Sequence, residues 1–131
     1  MFIERLNENE KKDFLELIYK IANCDNNFAD EEEELINSYK NELGIEKIEN
    51  TKTIDQLVEE FAEKSIQIKK VVFFELYGMI MADGKLELQE ERIFFLIKNK
   101  FMLEEKSYTK LIKAAEQLQQ AYDQVYAAIF D

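Results

Sequence analysis

Residues 17 to 45, LIYKIANCDNNFADEEEELINSYKNELGI, lie over residues 75 to 103, ELYGMIMADGKLELQEERIFFLIKNKFML, at a constant offset of 58 positions. Ile18 meets Leu76, Tyr19 meets Tyr77, Asp25 meets Asp83 and Phe28 meets Leu86; further on, Glu32 meets Glu90, Leu35 meets Ile93, Tyr39 meets Ile97 and Leu43 meets Phe101. Each copy reads as an apolar helix running into Asp, a short turn with an apolar residue three beyond that Asp, and a second helix with Glu seven beyond it. A unit of this kind has one apolar face that it cannot bury alone, so a duplicated unit points to a core shared by both copies. The expected fold is all-α: one domain over residues 1–131, a compact bundle of six to seven helices built on two helix-turn-helix units, about 14–45 and 72–103, with a helical segment from about 105 to 131.

Composition agrees with helices and excludes several function classes. The chain has no Pro and three Gly, too few breakers for a β-sandwich or a flexible linker, and 47% apolar residues, enough for a core. Seventeen basic against 28 acidic side chains leave a net charge of −11, which repels phosphate backbones and anionic headgroups. Neither nucleic acid nor membrane insertion is expected. The acidity is lopsided: residues 1–64 hold 8 basic and 18 acidic side chains, residues 65–131 hold 9 and 10. There is no His, hence no ordinary neutral-pH general base, and the one Cys, Cys24, permits no internal disulfide. The opening MFIERLNENE carries no secretory pattern, so the expected location is the cytoplasm.

Apolar spacing of three and four residues places six helical segments. The first spans about 8–24. The second runs from Asp30, read as an N-cap with Glu33 at the third position, to Leu43, with Gly44 just past its end. The third, about 54–64, opens on a Thr53–Gln56 capping box, and Ser65 caps the fourth, about 66–83, whose VVFFELYGMIMA is apolar nearly all round and marks the central helix. A fifth covers about 89–101. The last, one helix or two, carries Leu111, Ile112, Ala115, Leu118, Tyr122, Val125, Tyr126 and Ile129 as its stripe. Its length makes it the best candidate for a contact outside the domain.

Met81-Ala82-Asp83-Gly84-Lys85-Leu86 followed by Glu90, with Cys24-Asp25-Asn26-Asn27-Phe28 followed by Glu32 as a second copy, resembles the tellurite-resistance TerB-like family, whose hallmark is an apolar helix running into Ala-Asp-Gly-x-apolar with Glu shortly after. The copy at Cys24–Phe28 departs from that pattern at Cys24, in place of Ala, and at Asn26, in place of Gly, and Asn tolerates positive φ. The resemblance covers about residues 14–120. It implies a helical bundle, bacterial cytoplasmic residence, and a binding rather than catalytic part in stress-response or metal-related complexes.

Two readings of the repeated acids stand side by side. Asp25 and Asp83 can bond the N–H groups of their own turns or of the following helix. Alternatively Asp25 with Glu32, and Asp83 with Glu90, supply hard oxygen ligands for Ca²⁺ or Mg²⁺. The spacing is not that of an EF-hand, since the twelfth positions are Ile36 and Phe94 instead of a bidentate Glu. Glu75, within the apolar fourth helix, is expected to be a partly exposed structural residue with a partner or an outlet to solvent. Gly78 is expected at a close helix crossing, and Cys24 as a buried, inert thiol. No zinc set, P-loop, nucleophile elbow or dinucleotide fingerprint is present. The functions expected are thus a non-enzymatic TerB-like adaptor with an acidic face for a cation or a basic protein surface, a metal-free homodimer through Tyr122, Tyr126 and Phe130, and, last, a small hydrolase using Asp83 and Glu90.

Overall fold

The structure, a computed structural model, describes residues 2–24, 30–81 and 87–131, and of residues 30–32, 35 and 80 the backbone alone. A 3₁₀ turn, Ile3–Arg5, precedes six helices: α1 Glu8–Ala22, α2 Asp30–Leu43, α3 Ile54–Ala62, α4 Ile66–Ile80, α5 Leu88–Lys100 and α6 Glu105–Phe130. The fold is all-α, with no strand among the described residues.

The offset of 58 governs the backbone as well as the side chains. Adding it to α1 gives the bounds of α4, and adding it to Asp30 gives Leu88, where α5 opens. The caps repeat too. Asn7 caps α1 by accepting from the Glu10 N–H at 2.8 Å, and Ser65, its counterpart, accepts from the Ile68 N–H at 3.3 Å. At the far end of α2, Gly44 has φ +69°, its N–H reaches the Asn41 carbonyl at 3.3 Å and the Ile45 N–H reaches Lys40 at 2.9 Å. At the end of α5, Met102 has φ +53°, its N–H reaches Asn99 at 3.1 Å and the Leu103 N–H reaches Lys98 at 3.2 Å. Both are Schellman closures, which satisfy carbonyls the helix end would otherwise leave unpaired.

The Thr53–Gln56 capping box forms as its spacing predicts, with Gln56 N–H to Thr53 Oγ1 at 3.1 Å and Thr53 N–H to Gln56 Oε1 at 2.8 Å. α2 runs from Asp30 to Leu43, the expected bounds, and the capping role expected of the Asp30 side chain lies outside the described residues. α1 and α4 end at Ala22 and Ile80, short of the expected 24 and 83. Asp25 and Asp83 therefore follow their helices by three positions, and both lie outside the described residues.

α4 is the central helix, as its apolar run predicts: it touches the 3₁₀ turn and each of the other five helices. Val72, Phe73, Leu76 and Met79 are fully buried, each contributing roughly 1.5–3 kcal/mol of apolar transfer. Phe73 is the hub of an aromatic cluster, with ring centroids 5.8 Å from Phe94 of α5 and 5.6 Å from Tyr108 of α6. Across the bundle, Phe14 of α1 meets Tyr39 of α2 edge-on at 5.6 Å.

Three expectations change. Glu75 is not partly exposed but 2% accessible, because two donors reach it within the core. Gly78 is not at a close crossing, since a Cβ there would meet no described atom within 4 Å. Cys24 is half-buried instead of buried, because it lies beyond the end of α1, out of the packed helix face. The final segment is one helix of 26 residues.

Candidate functional site

The acids singled out by the repeat are not assembled into a site by the described residues. Asp25, Asp83 and the side chain of Glu32 lie outside them. Glu90 is described: it is 3% accessible, and its Oε1 accepts the Glu87 N–H at 3.0 Å, closing the start of α5. Among the described residues no group of three His, Cys, Asp or Glu side chains could hold a metal ion.

The other buried carboxylates share one use, which is to hold backbone N–H groups that no helix satisfies. Glu10 takes the Asn7 N–H at 2.8 Å and has the Lys64 ammonium at 3.5 Å. Glu16 takes the N–H groups of Thr51 at 3.4 Å and Lys52 at 3.0 Å, tying the segment before α3 onto α1. Glu75 takes the Phe2 N–H at 3.0 Å and the Tyr39 hydroxyl at 2.9 Å, tying the N-terminal turn and α2 to α4. Burial, reinforced by the Glu75 carboxylate, raises the Tyr39 hydroxyl far above the usual phenol range. Hydrogen bonds to charged groups keep such carboxylates tolerable in a core.

A polar cleft of about 750 Å³ lies between α1 and the segment joining α2 to α3, with Lys12, Asp13, Glu16 and Lys52 on its wall. Two of its charges, Lys52 and Asp13, pair across its wall, and Glu16 is taken up by backbone N–H groups. Lys52 donates to Asp13 at 3.0 Å and to Glu60 at 2.9 Å, which raises the lysine's pKa, while burial raises that of Asp13 against the pull of Lys52.

α6 presents the larger unsatisfied surface. Its first turns are anchored: Tyr108, Leu111 and Ile112 pack against the core, Ala115 is buried, and Lys98 stands 4.4 Å over the Tyr108 ring while pairing with Glu105 at 2.6 Å. Through Gln120 the helix still runs beside α4, and from Ala121 onward every residue of it is exposed. Tyr122, Val125, Tyr126, Ile129 and Phe130 are each more than half exposed, and the Tyr126 and Phe130 rings meet along their own helix at 4.7 Å. Between α6, α4 and the N-terminal turn, Phe2, Val71, Phe74, Leu111, Ala114 and Leu118, together with Lys70, line a mainly apolar groove of about 620 Å³. The stripe was legible from spacing alone. The groove was not, because it needs Phe2, drawn against Phe74 at 5.9 Å, and Phe2 lies outside every helical pattern. The Glu75–Tyr39 bond left a readable trace: these are positions where one copy of the repeat is polar and the other, Leu17 and Ile97, is apolar.

Compared with protein families, curated proteins and solved structures, the chain matches none. No helix of the described residues is long and apolar enough to cross a membrane.

Proposed function

We propose that this chain is a non-enzymatic binding or adaptor module, TerB-like in its duplicated helix pairs, and that the half of α6 beyond Ala115 is the element by which it docks to protein. The observation that carries this reading is the continuity of one face of α6. The stripe that enters the core at Tyr108, Leu111 and Ala115 continues through Leu118, Tyr122, Val125 and Ile129 into solvent. An exposed apolar patch of this size, rimmed by polar side chains, marks an interaction surface. The absence of any basic residue after Lys113 speaks against an anionic lipid surface as the partner. The buried acids support a binding role over a catalytic one, because Glu10, Glu16, Glu75 and Glu90 all hold backbone N–H groups. Placement in a bacterial, metal-related stress response, and a Ca²⁺ or Mg²⁺ at Asp25–Glu32 and Asp83–Glu90, belong to the same proposal and rest on the repeated motif.

A photo-crosslinking residue at Tyr126, in the cells that make the protein, tests the docking element. Protein adducts at position 126, and none from the same residue at the exposed Lys47, are expected; no adduct at 126 would remove the reading.

A further inference from the structure

We infer that what covers the free half of α6 is the same half of a second copy of this chain, laid antiparallel across a two-fold axis between Asp123 and Gln124. This rests on the docking role of α6 proposed above and names its occupant.

The apolar positions of α6 follow one another as Tyr108, Leu111, Ala115, Leu118, Tyr122, Val125 and Ile129, steps of three and four that form the seam of a two-helix pair. Up to Ala115 that seam is filled by α4, and Leu118 sits at the edge of the groove with Phe2 and Phe74; from Tyr122 on, the seam side chains are each more than half exposed among the described residues. The positions flanking the exposed seam are Ala114, Gln119, Ala121, Tyr126 and Ala128, so no charge stands on the seam or beside it. Asp123 and Asp131 fall on the helix's outer, exposed side, and Glu116 lies beside Tyr77 and Gly78 of α4, off the exposed part of the seam. A chain of net charge −11 resists meeting itself unless the meeting surface is neutral, and this strip is. The flanking alanines also let two backbones approach closely.

The antiparallel sense follows from where the body of the protein sits. The face of α6 that turns toward α4 in its first half is the face that is exposed in its second half. A parallel pair would drive the two bodies into each other; an antiparallel pair puts them at opposite ends and sets the helix dipoles head to tail. With the axis between Asp123 and Gln124, Tyr122 of one copy opposes Val125 of the other, and Leu118 opposes Ile129. The end of each α6 then arrives at the mouth of the other copy's apolar groove, where Leu118 and Ala114 form the lip. Taking roughly 100 Å² of apolar area for each of the five exposed side chains on or beside the seam, Leu118, Tyr122, Val125, Tyr126 and Ile129, two copies cover on the order of 1,000 Å², the threshold for a specific interface. The dimer is therefore reversible, and because its seam is neutral while its bodies repel, added salt tightens it.

Sedimentation equilibrium of the full chain over about a thousandfold range of concentration tests the pairing. A monomer–dimer equilibrium is expected, strengthened by salt and weakened at least about 100-fold by Val125→Glu, with Ala127→Glu on the outer side leaving it unchanged. In a Cys24→Ser background, Leu118→Cys and Ile129→Cys chains are expected to crosslink when mixed and not when each is alone. Crosslinking of Leu118→Cys chains to themselves would overturn the antiparallel pair, and so would a dimer that salt dissociates. A chain that stays monomeric throughout overturns the second copy as occupant. Adducts to a different protein at Tyr126 would then leave the docking role standing, and their absence would remove both.

Discussion

Met102 holds φ +53° with a side chain that is 81% exposed, so the strain of a left-handed residue is not offset by packing. Its counterpart Gly44 holds nearly the same angle with no Cβ to clash. Met102→Gly should therefore raise the unfolding free energy by about 1 kcal/mol, and Gly44→Ala should lower it by a similar amount. Urea unfolding of the two variants checks both, and a Met102→Gly chain no more stable than its parent would count against strain at that turn. Gly78 poses the opposite case. It sits inside α4 with open space where a Cβ would go, facing a cavity of about 260 Å³ beside α6. Gly78→Ala should stabilise by roughly 0.5–1 kcal/mol through helix propensity alone. A loss of stability there would restore the close crossing that the sequence suggests and the geometry does not contain.

Helix by helix, the architecture was legible wherever apolar spacing coincided with a cap, as at α2 with Gly44 and at α3 with Thr53. It was less legible at the ends of α1 and α4, where apolar residues run past the last helical turn and periodicity gives no stop. Glu75 was misread because burial of a carboxylate depends on partners 36 and 73 positions away in sequence, which no local pattern contains. The metal reading of Asp25, Glu32, Asp83 and Glu90 came from residue type and spacing; only Glu90 has a described side chain, and it caps α5. The repeat nevertheless supplies a test of the α2–α4 contact. Tyr39→Phe removes a donor from a buried carboxylate and should cost about 1.5–3 kcal/mol. Glu75→Leu should cost about as much, since it orphans the Tyr39 hydroxyl and releases the Phe2 N–H. The double variant restores the apolar character of Leu17 and Ile97 at the matching positions and should recover most of the loss, giving a strong coupling in a double-mutant cycle. Additive losses would mean the bond at 2.9 Å carries no energy of its own. The raised Tyr39 pKa adds a pH signature. Below pH 10 the hydroxyl is protonated folded and unfolded; above it the unfolded chain loses the proton that the folded chain keeps, so stability falls as pH rises. Tyr39→Phe should flatten part of that alkaline decline, seen as a shallower drop of Tm above pH 10.

For the whole molecule, the two stretches of α6 differ in burial, and the proposed association uses only the second. Up to Ala115, α6 completes the core: Tyr108 closes the aromatic cluster around Phe73, and Leu111 and Ile112 pack beside it. Beyond Gln120 no residue of α6 is buried. A chain ending at Gln120 should thus keep its helical bundle, with a urea midpoint close to the parent's at low concentration, where the parent is monomeric. Charge is uneven along the chain as well, with net −10 on residues 1–64 and net −1 on residues 65–131, the half that contains α6. Association linked to folding makes stability depend on concentration. The parent's Tm should climb as protein concentration rises, and that of the shortened chain should stay level. If the shortened chain instead unfolds at much lower urea, the last turns of α6 hold the bundle itself together. If both chains show a level Tm, the stripe from Leu118 to Phe130 is not closed by a second copy.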